Sequence, residues 1–291
     1  MSQGQELVRA VAGGLLPQEV RLPVGSRELH CLIWGRDSDP SVLLVHGSGG
    51  HAHWWDPLVP ALVRGRRLIA LDSRGHGESD WPEEPDYRIE SQTEDLLAVL
   101  DALAPEPLPI AGHSMGGRVV AFLAAHHPER VRGVALLDSR VRGIGDPSQR
   151  RWLERVQGRR RGRPYPSREA ALAAFRLVPP EPGVPPPVLD LLAHHAIARS
   201  APGEWSFRFD RAVLSFEGDG AGDLLPQLAG IRLPFWLARG EESLVLTERE
   251  EAELRAALPG ARLASLPGAH HFFLSHPKPA AAWLLEFLAA C

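Results

Sequence analysis

The 291-residue sequence contains little cysteine, with only Cys31 and Cys291 present. Two cysteines cannot form the dense disulfide framework of a small secreted scaffold. Neither lies between glycines, as a cysteine nucleophile in a tight turn would. The sequence therefore argues against both a disulfide scaffold and cysteine-based catalysis.

The sequence also lacks a net positive charge and long apolar runs. The formal net charge of −4 argues against a general polyanion binder, because phosphate binding needs a net basic face. No run reaches the roughly 18 apolar residues that span a bilayer, and the N-terminus lacks the basic start and apolar core of a signal peptide. We therefore expect no nucleic-acid partner, no membrane span and a cytoplasmic location.

Short apolar runs alternate with amphipathic segments between residues 41 and 138. The runs end at Gly, Asp or Ser and read "SVLLVHG", "RRLIALDSRG", "PLPIAGHS" and "VRGVALLDS". This alternation predicts parallel strands in a sheet that helices cover on both faces. The preceding "QEVRLPVG" and "ELHCLIWG" predict a hairpin that leads into the sheet.

The alternation stops between residues 139 and 231. This segment holds the arginine run from Arg159 to Arg163, the proline-rich "VPPEPGVPPPVLDLL" and several helix-sized stretches without intervening strands. After it, "LPFWLARG", "TEREEAELRAAL", "ARLASLPG" and "PKPAAAWLLEFLAA" restore strand, helix, strand and helix. We predict a core formed by residues 1–138 and 232–291, with a mostly helical insertion at 139–231.

A candidate nucleophile lies in the stretch "AGHSMGG", where Ser114 stands between Gly112 and Gly116. A predicted strand precedes this G-x-S-x-G pattern and a predicted helix follows it, which is the context that the pattern requires. A sharp strand-to-helix turn exposes the serine at a helix N-terminus, where backbone N–H groups can meet a developing oxyanion. The simpler interpretation is a glycine-rich turn with an N-capping serine.

A serine nucleophile needs a base and a carboxylate that orients the base. The stretch "LPGAHHFFLSHP" follows the last predicted strand and offers His270, His271 and His276 at the carboxyl edge of the sheet. We favour His271. His276 precedes Pro277 at the start of a helix and is more simply a capping or surface residue.

Five stretches together resemble the α/β-hydrolase superfamily: "VHGSGG", "LDSRGHGESD", "AGHSMGG", "HPERVRGVALLD" and "LPGAHHFFLSHP". The resemblance covers the chain outside the insertion. It implies a mostly parallel eight-stranded sheet with helices on both faces and a helical cap inserted after strand six. It also implies catalysis without a cofactor or metal.

The resemblance assigns further roles to individual residues. The family's usual Gly-His motif, aligned on "PGAHHFF", puts His271 at the catalytic position. One N–H of the oxyanion hole would come from Ser48 and the other from Met115. By the same resemblance the turn "DSRGHGES" is structural, and its polar side chains are those of Asp72, Arg74, His76 and Ser79.

The acid departs from the usual pattern. The resemblance commonly places an Asp three or four residues after the glycine of "PFWLARG", where this chain has Ser243 and Leu244. Some branches carry the acid at the end of strand six instead, where "VALLDS" supplies Asp138. We predict Asp138 as the acid, with Glu241 and Glu242 as alternatives.

The insertion is expected to form a wall of the substrate pocket. Candidate substrate-binding residues are Trp54, Trp55, Trp152, Trp205 and Phe207, although aromatic side chains more often belong to the core. The run from Arg159 to Arg163 is interpreted as a solvated face, with an acyl carrier protein or a coenzyme A thioester as the alternative partner.

Together these features predict a serine hydrolase of carboxylesterase type that cleaves a small or medium apolar ester through an acyl-enzyme. Thioester hydrolysis, lactone opening and carbon–carbon bond hydrolysis would use the same groups. A non-catalytic ligand receptor built on the same fold is the alternative of a different class. The sequence does not fix the oligomeric state.

Overall fold

The computed structural model of the protein describes residues 1–142, 164–214 and 222–291. Eight strands form its central sheet, and two more form a separate hairpin. The strands of the sheet are β1 (Gln18–Val24), β2 (Arg27–Trp34), β3 (Ser41–Val45), β4 (Arg67–Leu71), β5 (Leu108–His113), β6 (Val131–Leu137), β9 (Phe235–Gly240) and β10 (Arg262–Leu266). The hairpin consists of β7 (Ile197–Ala201) and β8 (Glu204–Phe207).

The sheet is mostly parallel, as the sequence predicts. Its strand order is β1-β2-β4-β3-β5-β6-β9-β10. Only β2 runs against its neighbours, since it pairs antiparallel with both β1 and β4. The pairs from β4 through β10 are all parallel, so their carboxyl ends meet at one edge. That edge is where ligands bind in open α/β sheets.

The two faces of the sheet carry separate apolar cores. In β3, Leu43 and Val45 pack into one core, whereas Val42 and Leu44 pack into the other. This follows from the two-residue period of a strand, which sends successive side chains to opposite faces. Burial of both faces explains why the central strands are nearly continuous apolar runs.

Helices cover both faces. In chain order they are α1 (Gln3–Val11), α2 (Val59–Leu62), α3 (Ile89–Leu103), α4 (Met115–His126), α5 (Arg168–Ala174), α6 (Pro186–His195), α7 (Leu225–Leu228), α8 (Glu248–Ala257), α9 (Phe272–Ser275) and α10 (Pro277–Ala289). Short 3₁₀ turns lie at Ala52–Trp55, Pro128–Arg130 and Arg211–Leu214. Within the described ranges, no helix combines the length and the apolar character needed to cross a bilayer.

The segment between β6 and β9 was predicted to be mostly helical, without intervening strands, and its described part contains strands as well as helices. Besides α5, α6 and α7 it contains the β7–β8 hairpin, whose turn is Pro202–Gly203. Gly203 has a φ of +79°, a conformation that glycine adopts without strain. The Pro-Gly pair between two short runs indicates a hairpin turn. The stretch is also long enough for a helix, and its length therefore favoured a helix over the hairpin. The division into a core at 1–138 and 232–291 and a cap at 139–231 stays a prediction.

Helix α6 fixes the described part of this segment against the rest of the molecule. It packs against the N-terminal helix α1, and Val8 shares the apolar core with Val188 and Leu192. The Leu192 carbonyl oxygen also lies 3.1 Å from Nε2 of the buried His51, which follows β3. The segment is thereby held beside the loop that leaves β3 at the carboxyl edge.

Candidate active site

Ser114 lies at a tight turn between β5 and α4. Its φ of 53° and ψ of −118° are strained for a residue with a side chain. A Cβ at Gly112 would lie 2.7 Å from the Gly116 carbonyl oxygen, and a Cβ at Gly116 would collide with the carbonyl oxygens of Val45 and His46. The two glycines therefore give the steric clearance that this turn needs.

The His270 side chain links Ser114 to Asp138. Its Nε2 lies 3.1 Å from Ser114 Oγ, and its Nδ1 lies 2.6 Å from Asp138 Oδ2. With the proton on Nδ1, His270 donates to the carboxylate and presents the Nε2 lone pair to the serine hydroxyl. These distances make one continuous chain of hydrogen bonds from hydroxyl to carboxylate.

This geometry corrects the choice of histidine made from the sequence. The structure puts His270, and not His271, between the serine and the aspartate. The His271 ring instead packs edge-on against Trp54, with 5.0 Å between ring centroids. Successive side chains leave the backbone in different directions, so only one histidine of the pair can face Ser114. The family alignment placed the motif one residue too late.

His113 lies within hydrogen-bond distance of the backbone of the same loop. Its ring is buried, and its Nε2 lies 3.0 Å from the His270 carbonyl oxygen. Burial, together with the neighbouring His270, holds the pKa of His113 well below its ordinary value. A neutral His113 with its proton on Nε2 can donate to that carbonyl and thus anchor the backbone of His270.

Asp138 follows β6 and is fully buried. Its Oδ1 accepts a hydrogen bond of 2.9 Å from the Gly240 N–H, and its Oδ2 accepts one of 2.5 Å from the Ser243 hydroxyl as well as the bond from His270. Three donors offset the cost of burying a carboxylate. The structure thus brings the predicted acid to the histidine of this site.

Ser243 is a site residue whose contribution the sequence interpretation missed. The signal was its position, since it stands where the family resemblance commonly puts the acid. The two alternative acids, Glu241 and Glu242, have exposed side chains. Both glutamates lie in the turn after β9, and their backbone N–H groups donate to the carbonyls of Leu266, at the end of β10, and Gly268, just after it. Neither glutamate makes the contact to His270 that Asp138 makes.

The loop after β3 lies against the Ser114 turn. A Cβ at Gly47 would come within 2.9 Å of Ser114 Cβ, so Ser48, the next residue, is held close to the candidate nucleophile. Met115 is the first residue of α4, where backbone N–H groups have no partner within the helix. The two predicted oxyanion-hole residues are therefore both neighbours of the Ser114 turn, Met115 in sequence and Ser48 through the contact of Gly47.

Two buried histidines fix this loop. His76 Nε2 accepts a hydrogen bond of 3.1 Å from the Gly49 N–H, and His46 Nε2 accepts one of 3.0 Å from the Ser73 N–H. Burial lowers the pKa of His76 to about 3 and also lowers that of His46. Both rings thus stay neutral acceptors, which adds a role in loop support to the "DSRGHGES" turn.

The turn "DSRGHGES" is also tied to the surrounding fold. Asp72 accepts hydrogen bonds from the Ala52 N–H at 2.6 Å and from the His30 ring at 2.8 Å. Arg74 forms a buried bidentate pair with Asp95, at 2.5 and 2.8 Å. These contacts connect the turn after β4 with β2, α3 and the loop after β3.

The predicted substrate-binding tryptophans lie in different places. Trp54 is buried, and besides His271 it faces the His113 ring, 6.0 Å away. Trp55 is fully buried and stacks on Phe273 at 5.3 Å, which makes it a core residue and corrects the expectation that it borders the substrate. Trp152 lies outside the described residues.

The two aromatic residues of the hairpin are half-buried. Trp205 exchanges backbone hydrogen bonds with Tyr165 and lines a cleft of about 480 Å³ beside α1. Phe207 contacts Phe209, and Phe209 stacks on His76, with 6.4 Å between centroids in each pair. An aromatic cluster therefore extends from the hairpin to the histidine that supports the loop after β3.

One group of histidines within the described ranges has the spacing of possible metal ligands. Nitrogens of His113, His270 and His271 lie within 4.8 Å of one another. The His270 nitrogens already bond to Asp138 and Ser114, and His113 Nε2 bonds to the His270 carbonyl. A metal ion would have to take His270 from these partners, so the cluster fits the hydrogen-bond network better than a metal centre.

Comparisons with known proteins agree with the motifs and the sheet. A family model described as the alpha/beta hydrolase fold matches residues 40–277. The esterase Rv0045c of Mycobacterium tuberculosis is 32% identical over 251 residues, which cover 84% of this chain and 80% of that protein.

Two solved structures resemble the whole molecule. The crystal structure of the same esterase has a TM-score of 0.75 at 27% identity, over 99% of this chain and 97% of that chain. The enol-lactonase from Burkholderia xenovorans LB400 has a TM-score of 0.73 at 27% identity, over 93% of this chain and 100% of that chain. These similarities confirm the resemblance inferred from the five sequence stretches.

Proposed function

Since the chain belongs to the alpha/beta hydrolase fold family, we propose that it is a serine hydrolase of carboxylesterase type. The observation that carries this proposal is the continuous hydrogen-bond chain from Ser114 through His270 to Asp138. In it, Ser114 is the nucleophile, His270 the general base and Asp138 the acid that orients the base. We propose an ester as the substrate because a relative that matches most of this chain, and most of its own length, is an esterase.

The proposed reaction begins when His270 Nε2 takes the proton of the Ser114 hydroxyl. Ser114 Oγ then attacks the ester carbonyl carbon, and the developing oxyanion accepts hydrogen bonds from the N–H groups of Ser48 and Met115. Asp138 stabilises the imidazolium by accepting the Nδ1 proton in a hydrogen bond, without becoming protonated itself. The tetrahedral intermediate expels the alcohol, which receives its proton from His270.

A water molecule then repeats the attack on the acyl-enzyme. His270 takes a proton from the water, and the second intermediate expels Ser114 Oγ, which recovers its proton from His270. The carboxylic acid leaves and the starting enzyme is restored. The five proposed groups, Ser114, His270, Asp138 and the N–H groups of Ser48 and Met115, follow strands at the carboxyl edge of the sheet. Each step of the scheme uses only these groups, the substrate and water.

A small or medium apolar substrate fits the side chains around this edge. Phe207 and Phe209 form an aromatic cluster that reaches His76, and His76 holds the loop that carries Ser48. We propose that this cluster contacts an apolar acyl or alcohol group of the substrate. The hairpin that carries Phe207 belongs to the segment inserted after β6, which we propose as the cap over the site.

Purified protein tests the proposal with p-nitrophenyl esters of two to eight acyl carbons. We expect turnover by the wild type, loss of turnover in Ser114→Ala, and unchanged turnover in the control Ser200→Ala, which alters an exposed serine of β7. A serine-directed phosphonate should label the wild type and the control but not Ser114→Ala. Labelling or turnover in Ser114→Ala would overturn the assignment of the nucleophile.

The same assay separates the other reactions that this site could carry out. A parallel panel of thioesters, lactones and vinylogous diketones measures whether another bond is cleaved with a higher kcat/KM. Tight binding of an ester without turnover would favour the non-catalytic receptor. An acyl carrier or coenzyme A partner stays a prediction, because the run from Arg159 to Arg163 lies outside the described residues.

A further inference from the structure

A carboxylate from the inserted segment accepts hydrogen bonds from the loop that carries His270. Glu181 Oε1 accepts a hydrogen bond of 2.9 Å from the Ala269 N–H, and its Oε2 accepts one of 2.7 Å from the His271 N–H. The Ser275 hydroxyl donates a third bond of 2.6 Å to Oε1. The backbone N–H groups of the two residues that flank His270 are thus bound by one side chain.

Burial makes these three bonds strong. Glu181 is only 8% exposed, and no cation pairs with it among the residues that the structure describes. The three donors therefore stabilise its charge, and hydrogen bonds to an ionised group are about twice as strong as neutral ones. A neutral side chain of the same shape could not replace it, because an amide offers only one acceptor oxygen and a donor group.

The contacts of Glu181 complement those of His270 itself. Asp138 fixes the His270 side chain at Nδ1, and His113 lies within hydrogen-bond distance of the His270 carbonyl. Neither contact fixes the two peptide N–H groups that flank the histidine. Glu181 supplies that missing restraint, and it is the carboxylate that spans both of them.

The position of Glu181 depends on how the inserted segment packs. Its neighbours Leu177 and Val184 are buried in the same apolar core as Trp54 and Phe273. These apolar contacts seat residues 177–184 against the core, and Glu181 reaches from there to the His270 loop.

We propose that Glu181 is a positioning residue, which holds the His270 loop in its reactive geometry through its hydrogen bonds to that loop. This inference rests on the proposed function, in which His270 is the general base. Glu181 does not touch Ser114 and takes no part in proton transfer. Its effect is on the placement of His270 Nε2 relative to the serine hydroxyl.

The proposal predicts a change in kcat without a change in substrate binding. We expect Glu181→Gln to lower kcat about 10- to 100-fold, since a misplacement of about 1 Å in a catalytic group can cost about 100-fold. KM should stay within about twofold of the wild-type value. The rate of phosphonate labelling of Ser114 should fall by the same factor as kcat, because labelling also needs the positioned base.

Val184→Ala is the matched control, because it removes apolar contacts of the same segment and leaves the carboxylate with its three hydrogen-bond donors in place. Each variant is compared with the wild type by urea unfolding, steady-state kinetics and labelling rate. We expect Val184→Ala to lose stability while kcat stays within about threefold of wild type. If Glu181→Gln does not fold, Glu181→Asp takes its place with the same expected result, because the shorter side chain cannot span both peptide groups.

Two outcomes would overturn the inference. One is a folded Glu181 variant whose kcat and labelling rate equal those of the wild type. The other is an equal loss of kcat in Val184→Ala, which would make Glu181 one of many packing contacts. Activity retained in Ser114→Ala would instead refute the proposed function, so the two failures can be distinguished.

Discussion

The Ser243 hydroxyl donates a hydrogen bond of 2.5 Å to Asp138 Oδ2, the same oxygen that His270 Nδ1 approaches to 2.6 Å. Ser243 belongs to the turn after β9, where the family resemblance commonly places the acid. Here the acid comes from the end of the neighbouring strand β6, and the residue at the usual position supports it. Either strand end can supply the acid because β6 and β9 are adjacent and parallel, so that their carboxyl ends lie side by side.

Replacement of Ser243 should remove one of the hydrogen bonds that hold the buried Asp138 carboxylate in place. In Ser243→Ala, we expect the free energy of unfolding to fall by about 1.5–3 kcal/mol, the range for a hydrogen bond to a charged group. Urea unfolding measures this change. The control is Ser265→Ala, which removes only an exposed 3.5 Å contact to Glu251 and should cost less than about 1 kcal/mol. Equal losses in the two variants would contradict the role assigned to Ser243.

Replacement of Asp138 should affect the reaction far more than the fold. In Asp138→Asn, we expect kcat for a p-nitrophenyl ester to fall on the order of 10³- to 10⁴-fold, because the amide favours the wrong histidine tautomer and no longer stabilises the imidazolium. Circular dichroism verifies that the variant is folded. Glu241→Gln and Glu242→Gln should retain wild-type kcat. The opposite result, with activity lost in a glutamate variant and kept in Asp138→Asn, would refute Asp138 as the acid.

The two adjacent histidines should respond differently to substitution. His270→Gln removes the proposed base, and we expect kcat to fall at least about 100-fold, a typical contribution of a general base. His271→Gln alters a ring packed against Trp54, so we expect a loss of stability and kcat within about tenfold of wild type. Steady-state kinetics at saturating ester measures both. A greater loss of kcat in His271→Gln than in His270→Gln would contradict the geometry.

The sheet and Ser114 could be predicted from local patterns in the sequence, and Asp138 from the family resemblance together with its place at the end of an apolar strand. Buried parallel strands read as apolar runs, the Ser114 turn needs its glycines for clearance, and Asp138 ends an apolar strand. The choice between His270 and His271 was not accessible in this way. It depends on the direction in which the loop presents each side chain, which the contacts of residues distant in sequence determine.

The role of Glu181 was hidden for a related reason. It lies in a proline-rich stretch of the inserted segment, about ninety residues before the loop that it binds, and nothing in "VPPEPGVPPP" distinguishes its carboxylate from a solvated one. The β7–β8 hairpin was missed because a short strand pair of this length also fits a helical spacing. In both cases tertiary contacts decide the outcome.

The glycines around Ser114 should tolerate no side chain. In Gly116→Ala, the added Cβ meets the carbonyl oxygens of Val45 and His46, so the backbone must shift. We expect the free energy of unfolding to fall by about 1–3 kcal/mol or more, as for overpacking in a core, and kcat to fall with it. Gly230→Ala is the control, since a Cβ there has open space. A Gly116→Ala protein as stable as Gly230→Ala would contradict the proposed steric role.

Stability should decrease below neutral pH because buried histidines resist protonation. Burial is the main reason that the pKa of His51 is about 3 in the folded protein, against an ordinary value of 6.5. Between these two values the unfolded chain binds a proton that the folded protein does not. Unfolding is therefore favoured progressively as the pH falls from about 6.5 towards 3, and above 6.5 this histidine contributes no pH dependence.

A variant without this histidine should show a shallower dependence on pH. His51→Gln keeps a donor for the Leu192 carbonyl but cannot be protonated. We expect the slope of unfolding free energy against pH between about 6 and 4 to decrease by up to about 1.4 kcal/mol per pH unit, the value of one proton. Urea unfolding at pH 7, 6, 5 and 4 measures the slope. Identical slopes in the variant and the wild type would show that His51 is protonated in the folded protein, against the burial argument.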